Sequence, residues 1–227
     1  MDIVIIIAIL TIGISCFVFV KIRNTKLLKT VTQPNRGTRA ERKLVLKLLK
    51  NGIHPKAIFH DLYIRNSSGT FSQIDLVVAT PAGILVFEVK DFSGWIFGNG
   101  HQKQWTQVLA YGREKHRFYN PVMQNRTHIS NLQKQLPQFD NIPFYSVIVF
   151  YGNSVFRNVS YIPDGTFLIK PFNVVKAVNF IARSNERAKY INKIEIMHIL
   201  QQAVSNGADK EIQIQHIENI RDMLWKR

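Results

Sequence analysis

The sequence predicts an α/β domain carried on an N-terminal membrane helix and followed by a helical appendage. Three observations predict it. Two short, β-rich apolar runs, Ile74 to Ala79 and Ile84 to Val89, are joined by the turn sequence Thr80-Pro81-Ala82-Gly83. Amphipathic segments with helix-capping residues stand before and after them. Ahead of everything lies an uncharged run from Ile3 to Val20.

That run has 18 residues, near the lower limit for crossing a bilayer. A cleavable signal peptide would carry a basic segment in front and a small-residue cleavage site behind. Here Asp2 is the only early charge, and Lys21, Arg23, Lys26 and Lys29 follow the run. The flanks favour an anchor over a signal peptide or a buried core helix, with the N-terminus outside and the remainder cytoplasmic. The expected localisation is therefore the cell membrane, in a single pass. Residues 23–36 then read as a basic juxtamembrane linker. Each cation beside an anionic surface contributes about 1 kcal/mol.

Thr38 is placed to cap a helix running to about Lys50, with Glu41 completing a capping box and Leu44, Val45, Leu48 and Leu49 as its apolar stripe. Asn51-Gly52 ends it. His60 to Ile64 reads as a strand, and Asn66 to Gly69 as a turn. The stretch from Ser93 to Gly100 reads as strand and loop. Asn120-Pro121 opens a second helix with a core face of Val122, Ile129, Leu132 and Leu136. Ser146 to Tyr151 and Thr166 to Lys170 are later strands. Beyond Phe172 only helical patterns remain: 174–182, 190–204 and 210–224. The expected organisation is an anchor over 1–22, a linker over 23–36, the α/β domain over 37–171 and a helical region over 172–227. That last region offers a surface for a protein partner or for self-association.

Composition narrows the chemistry. A single cysteine, Cys16, inside the apolar run excludes a disulfide framework and a cysteine-based zinc site. The seven histidines show no paired ligand spacing and read as surface or core residues. Thirty Lys+Arg against 15 Asp+Glu give a net charge of +15, which points to a polyanionic partner, either nucleic acid or an anionic lipid surface. Trp95 and Trp105 read as packing residues.

The two central strands are apolar on both faces, as in a covered sheet, yet Asp75, Glu88 and Lys90 interrupt them. A charge in such a place must be paired or must bind a metal. Two carboxylates suit Mg²⁺ (or Mn²⁺), and Lys90 shares a side with Glu88 by alternation. The competing reading is a Lys90–Glu88 ion pair at a sheet end with Asp75 in a turn. If Thr80 faces Gly83, then Asp75 faces Glu88, and Ile74, Leu76 and Val78 share one apolar face. A bulge at Gly83 would instead set Asp75 opposite Val89.

The blocks GTRAERKLVLKLL, FSQIDLVVATPAGILVFEVKDFSGWIFG, Trp105 and NPVMQNRTHISNL, in that order over residues 37 to about 150, resemble the nuclease-related domain (NERD) family. The resemblance implies a restriction-endonuclease-like fold, a mixed central sheet flanked by helices, grouped with the PD-(D/E)xK nucleases. It implies that Glu41, Asp75, Glu88 and Lys90 fill the acidic, acidic, Glu and Lys positions of that active site, with Asp75, Glu88 and Glu41 as metal ligands. Gln124 fits the glutamine on the following helix. Ala40 departs from the family's usual Gly before the Glu. For Glu41 the capping box is an equal explanation, and for Gln124 a solvated helix face shared with His128, Asn131 and Gln135. The function so implied is a membrane-anchored, divalent-metal-dependent nuclease hydrolysing phosphodiester bonds in DNA. The alternative is a non-catalytic nucleic-acid-binding or membrane scaffold module of the same fold.

Overall fold

The computed structural model describes residues 3–135, 139 and 141–225. The core position expected at Leu136 lies outside the described residues. The α/β class holds: the described residues form two mixed sheets and six α-helices.

Helix α1 (Ile3–Leu28) is exposed along its apolar length, and among the described residues it is the one helix long and apolar enough to cross a membrane. It does not stop at the first lysine. It runs through the basic segment to Leu28, and Leu27, Leu28 and Val31 pack against the domain core. Residues 23–28 of the expected linker are therefore helical.

Helix α2 (Arg39–Lys50) starts where the capping residues place it. The Thr38 side chain accepts the Glu41 N–H, and the Glu41 carboxylate accepts the Thr38 N–H. Its stripe of Leu44, Val45, Leu48 and Leu49 is buried.

The main sheet has the order β1-β2-β3-β7-β9, from β1 (Ile58–Arg65), β2 (Phe71–Thr80), β3 (Gly83–Asp91), β7 (Phe144–Tyr151) and β9 (Thr166–Ile169). The first three strands are antiparallel, and β3, β7 and β9 are parallel. One face buries Leu76, Val78, Leu85 and Phe87 under α2 and α4 (Val174–Ser184). The other buries Val77, Ile84 and Val86 under α3 (Pro121–Gln133) and α5 (Lys193–Asn206). Helix α6 (Lys210–Trp225) follows and contacts β2.

Between β3 and α3 the chain builds most of a second sheet, β6-β5-β4-β8, from β4 (Gly94–Asn99), β5 (Gln104–Leu109) and β6 (Glu114–Tyr119), with β8 (Ser154–Ser160) added later. Ile96, Trp105 and Phe118 on its inner face pack against Ile148 and Phe150 of β7. Trp105 is a packing residue, as expected: it is 1% exposed, and its Nε1 donates to the Asn99 carbonyl. Strands β5, β6 and β8 carry no apolar run that marks them in the sequence.

The hairpin register is the one in which Thr80 faces Gly83 and Leu76 faces Phe87. The single apolar face expected for Ile74, Leu76 and Val78 is not what forms. Ile74 sits in the opposite core layer from Leu76 and Val78. The alternation breaks at Asp75, and a matching break occurs at its neighbour in β1, where Asp61 adopts φ +59. Backbone pairing skips both residues, passing from His60–Leu76 to Leu62–Ile74. Asp61 is held there by Arg36, whose Nε donates to Oδ2 at 3.0 Å and whose Nη2 donates to the Asp61 carbonyl at 2.6 Å. Asx residues tolerate this backbone region better than most.

Candidate active site

The gap in the ladder positions the first carboxylate. Past Leu76–Phe87 the β2–β3 pairing ends, and Asp75 Oδ2 accepts the freed Val89 N–H at 2.7 Å. Burial raises the Asp75 pKa well above its ordinary value, and the charges of Glu88 and Glu41 raise it further. The structure thus brings Asp75 within the electrostatic reach of both other acids.

Glu88 is 1% exposed and lies on the α3 side of β3, with Lys90 two residues on. Lys90 Nζ stands 2.6 Å from Glu88 Oε1 and donates to Gln124 Oε1 of α3 at 3.0 Å. His128, one turn further along α3, places Nε2 3.3 Å from Glu88 Oε2, while its Nδ1 bonds Ser72 Oγ at 3.1 Å. Burial opposes the Glu88 charge, but Lys90 and the His128 ring outweigh it and hold the pKa below its ordinary value. Gln124 therefore joins the Glu88–Lys90 cluster, and His128 and Asn131 do not form the solvated face expected of them. His128 and Asn131 are buried, and buried Asn125 donates to the Val86 carbonyl and to Ser146 Oγ. Half of the buried positions of α3 are polar (Asn125, His128 and Asn131), and of these His128 meets the Glu88 carboxylate.

Glu41 occupies a separate network on the α2 side. Its Oε1 is taken by the capping box, accepting from Thr38 Oγ1 at 2.7 Å. Its Oε2 faces His60 Nε2 at 3.3 Å, and His60 Nδ1 bonds Thr32 Oγ1 at 2.7 Å. Burial opposes the Glu41 charge, and the His60 and Thr38 contacts overcome it, lowering its pKa. Gly37, at φ +61, passes so close that a Cβ there would collide with Glu41 and His60. The Glu41 side chain thus serves the capping box with one oxygen and faces His60 with the other.

His60 and His128 are the functional candidates that sequence reasoning misses. Their spacing in the chain says nothing. One cue is available: His128 lies four residues after Gln124, on the same helix face.

The donor set suits a hard cation. Asp75 and Glu88 offer carboxylate oxygens, Glu88 Oε2 accepts no well-aligned hydrogen bond, and the mutual repulsion at Asp75 is what a divalent ion would offset. Among the described residues no three His, Cys, Asp or Glu side chains are already gathered to hold a metal. Two carboxylates would suit Mg²⁺, which keeps several waters and takes one or two carboxylates from a protein.

The sequence profile of the nuclease-related domain matches residues 36–151, just over half of the chain. An uncharacterized protein of Bacillus anthracis is 26% identical over 192 residues, spanning 83% of this chain and 86% of that protein. No solved structure matches the chain significantly. The chain belongs to the nuclease-related domain family, within the restriction-endonuclease-like fold superfamily.

Proposed function

We propose that the protein is a membrane-anchored, divalent-metal-dependent nuclease that hydrolyses phosphodiester bonds in DNA. The observation that carries this reading is the convergence of Asp75, Glu88, Lys90 and Gln124 where the β2–β3 ladder opens, with the Asp75 charge disfavoured by burial and by its acidic neighbours. Asp75 and Glu88 would hold Mg²⁺ or Mn²⁺, with Glu41 beside them. When bound, the ion acidifies a coordinated water and neutralises charge on the scissile phosphate. Glu88 is pinned for this by His128 and Lys90. Lys90, steadied by Gln124, offers an ammonium to the phosphate oxygens as charge develops on them. The test is cleavage of supercoiled and linear DNA, and of RNA, by the full chain in neutral detergent. Activity with Mg²⁺ or Mn²⁺ and none in EDTA is expected.

A second reading has its own support. Every carboxylate of the set already faces a partner within the protein, and a binding module of the same fold would also keep these networks. A chain that binds DNA but never cleaves it, with either metal, would establish this reading.

The anchor supports a cytoplasmic orientation through the basic residues that follow it. The protein is expected to stay in membranes through carbonate extraction, and a cytoplasm-active reporter fused after Arg227 is expected to function. Recovery of a shortened, exported protein would show a signal peptide instead.

A further inference from the structure

We propose that the outer face of the second sheet is a docking platform for a single strand of nucleic acid, feeding the Glu88–Lys90 site. The proposal rests on the nucleic-acid reading above and adds where and how the substrate is held.

Strand alternation and the pairing registers sort the side chains of this sheet. Ile96, Trp105 and Phe118 turn inward to the core. The opposite face carries Trp95 and Phe97 from β4, Lys115, Arg117 and Tyr119 from β6, and Arg157 from β8. The other paired positions on that face are amide, hydroxyl or valine side chains, and none is acidic. Glu114, the one carboxylate in the β5–β6 pair, falls on the opposite side, where it faces His116 at 3.7 Å. Among the described residues no helix packs extensively on the outer face.

Charge alone would suit any polyanion. The aromatics favour a strand with unstacked bases. The Arg157 guanidinium lies over the Trp95 ring, 4.9 Å from its centroid, and offers a flat cation–π platform on which a base can stack. Tyr119, 41% exposed, offers a second such surface. An anionic bilayer would use the cations and seat the rings at its interface, so what favours a base is the flat Arg157–Trp95 stack. The six residues of β6 span about 20 Å, comparable with the roughly 4 nucleotides at the short end of known single-strand platforms.

Connectivity ties the platform to the site. Strand β3 leaves Lys90 and passes directly into β4, while β6 runs through Tyr119 into Asn120, the cap of α3. Gln124, which holds Lys90, lies one turn beyond that cap. A strand laid along β6 is therefore led toward the carboxylates.

The test measures affinity, not turnover. Full chain in neutral detergent with EDTA is titrated with fluorescent oligothymidylate, duplex DNA of the same length, and vesicles containing phosphatidylserine. The triple variant Lys115→Gln/Arg117→Gln/Arg157→Gln is expected to bind the oligonucleotide at least ~10-fold more weakly, with a salt dependence shallower by about 2 log units per log unit of salt. A control removing equal charge from α2 and the loop after it, Lys43→Gln/Lys50→Gln/Lys56→Gln, is expected to stay within about twofold. Tyr119→Ser, at an exposed position that does not endanger folding, is expected to weaken single-strand binding about fivefold and duplex binding little. Equal losses in the two triple variants, unchanged binding by Tyr119→Ser, or no oligonucleotide binding by the wild type would each overturn the platform. So would a triple variant that loses vesicle binding but keeps the oligonucleotide. The EDTA titration reads the platform alone: binding there with no cleavage once Mg²⁺ or Mn²⁺ is supplied would sink only the catalytic reading, and unchanged binding in the triple variant of a chain that cleaves with metal would sink only the platform.

Discussion

Glu88→Gln is expected to abolish metal-dependent cleavage while leaving the protein folded. The change keeps the shape of the side chain and removes its charge. An amide oxygen can still accept from Lys90, now 2.6 Å away, and the ring of His128 still fills its place at 3.3 Å. The structural cost should be about 1–3 kcal/mol, that of weakening one buried charge-assisted contact. The catalytic cost is larger. On the proposed mechanism, loss of the carboxylate charge removes a metal ligand and weakens the hold on Lys90, which keeps Gln124 and the new amide oxygen as acceptors. A fall in kcat/KM of at least ~10³, or about 4 kcal/mol of transition-state stabilisation, is expected. Steady-state cleavage of linear DNA with Mn²⁺ measures it, and a melting curve confirms the fold. Undiminished cleavage by the variant would remove Glu88 from the mechanism.

Asp75→Asn is expected to separate stability from activity: cleavage is lost, and the metal-free protein becomes more stable at neutral pH. The sign follows from the shift. The Asp75 pKa is raised above its ordinary 3.8, so its contribution to stability is full below that value and is lost as pH rises through the folded pKa. At neutral pH, without metal, the buried carboxyl is a burden, because its charged form is disfavoured by burial and by the neighbouring acids. Glu88 and Glu41 run the other way. Their pKa values lie below the ordinary 4.5, so they support the fold above it and lose that support as pH falls through their lowered values. The asparagine side chain of the variant keeps an oxygen for the Val89 N–H and offers its amide to the neighbouring carboxylates. A gain of about 1 kcal/mol, seen as a rise of roughly 2–4 °C in Tm, is expected near pH 7.5 in EDTA, vanishing toward acid pH. Added Mn²⁺ should raise the Tm of the wild type and not that of the variant. An unchanged or lower Tm for metal-free Asp75→Asn at neutral pH would show that Asp75 is not under repulsion.

These predictions rest on residues the sequence itself marks. Asp75, Glu88 and Lys90 stand out because charges inside apolar strands demand an explanation, and the turn at Pro81-Ala82 is short enough to set the register. The capping box at Thr38 and Glu41 is legible because its partners are three residues apart. What the sequence hides is non-local. The αL conformation of Asp61 depends on Arg36, 25 residues away, and on the carbonyl of Val204 that holds the other end of that arginine. No local pattern marks it, so the face switch at Ile74 cannot be read from the chain. The polar interior face of α3 escapes for the same reason. His128 and Asn131 look solvated until Glu88 and its neighbours are placed beneath the helix. The second sheet is largely invisible because β6 buries almost nothing, and so has none of the alternation that reveals a strand.

The N-terminal helix runs unbroken through the basic segment into the domain. On the proposed topology, the segment from Lys21 to Leu28 would rise about 12 Å from the bilayer. It would then be clamped to the domain by Leu27, Leu28 and Val31 rather than hung from it on a slack tether. Such a mount fixes both height and heading. The domain could not sweep through the cytoplasm for a target. A DNA substrate would have to come to it, close to the lipid headgroups.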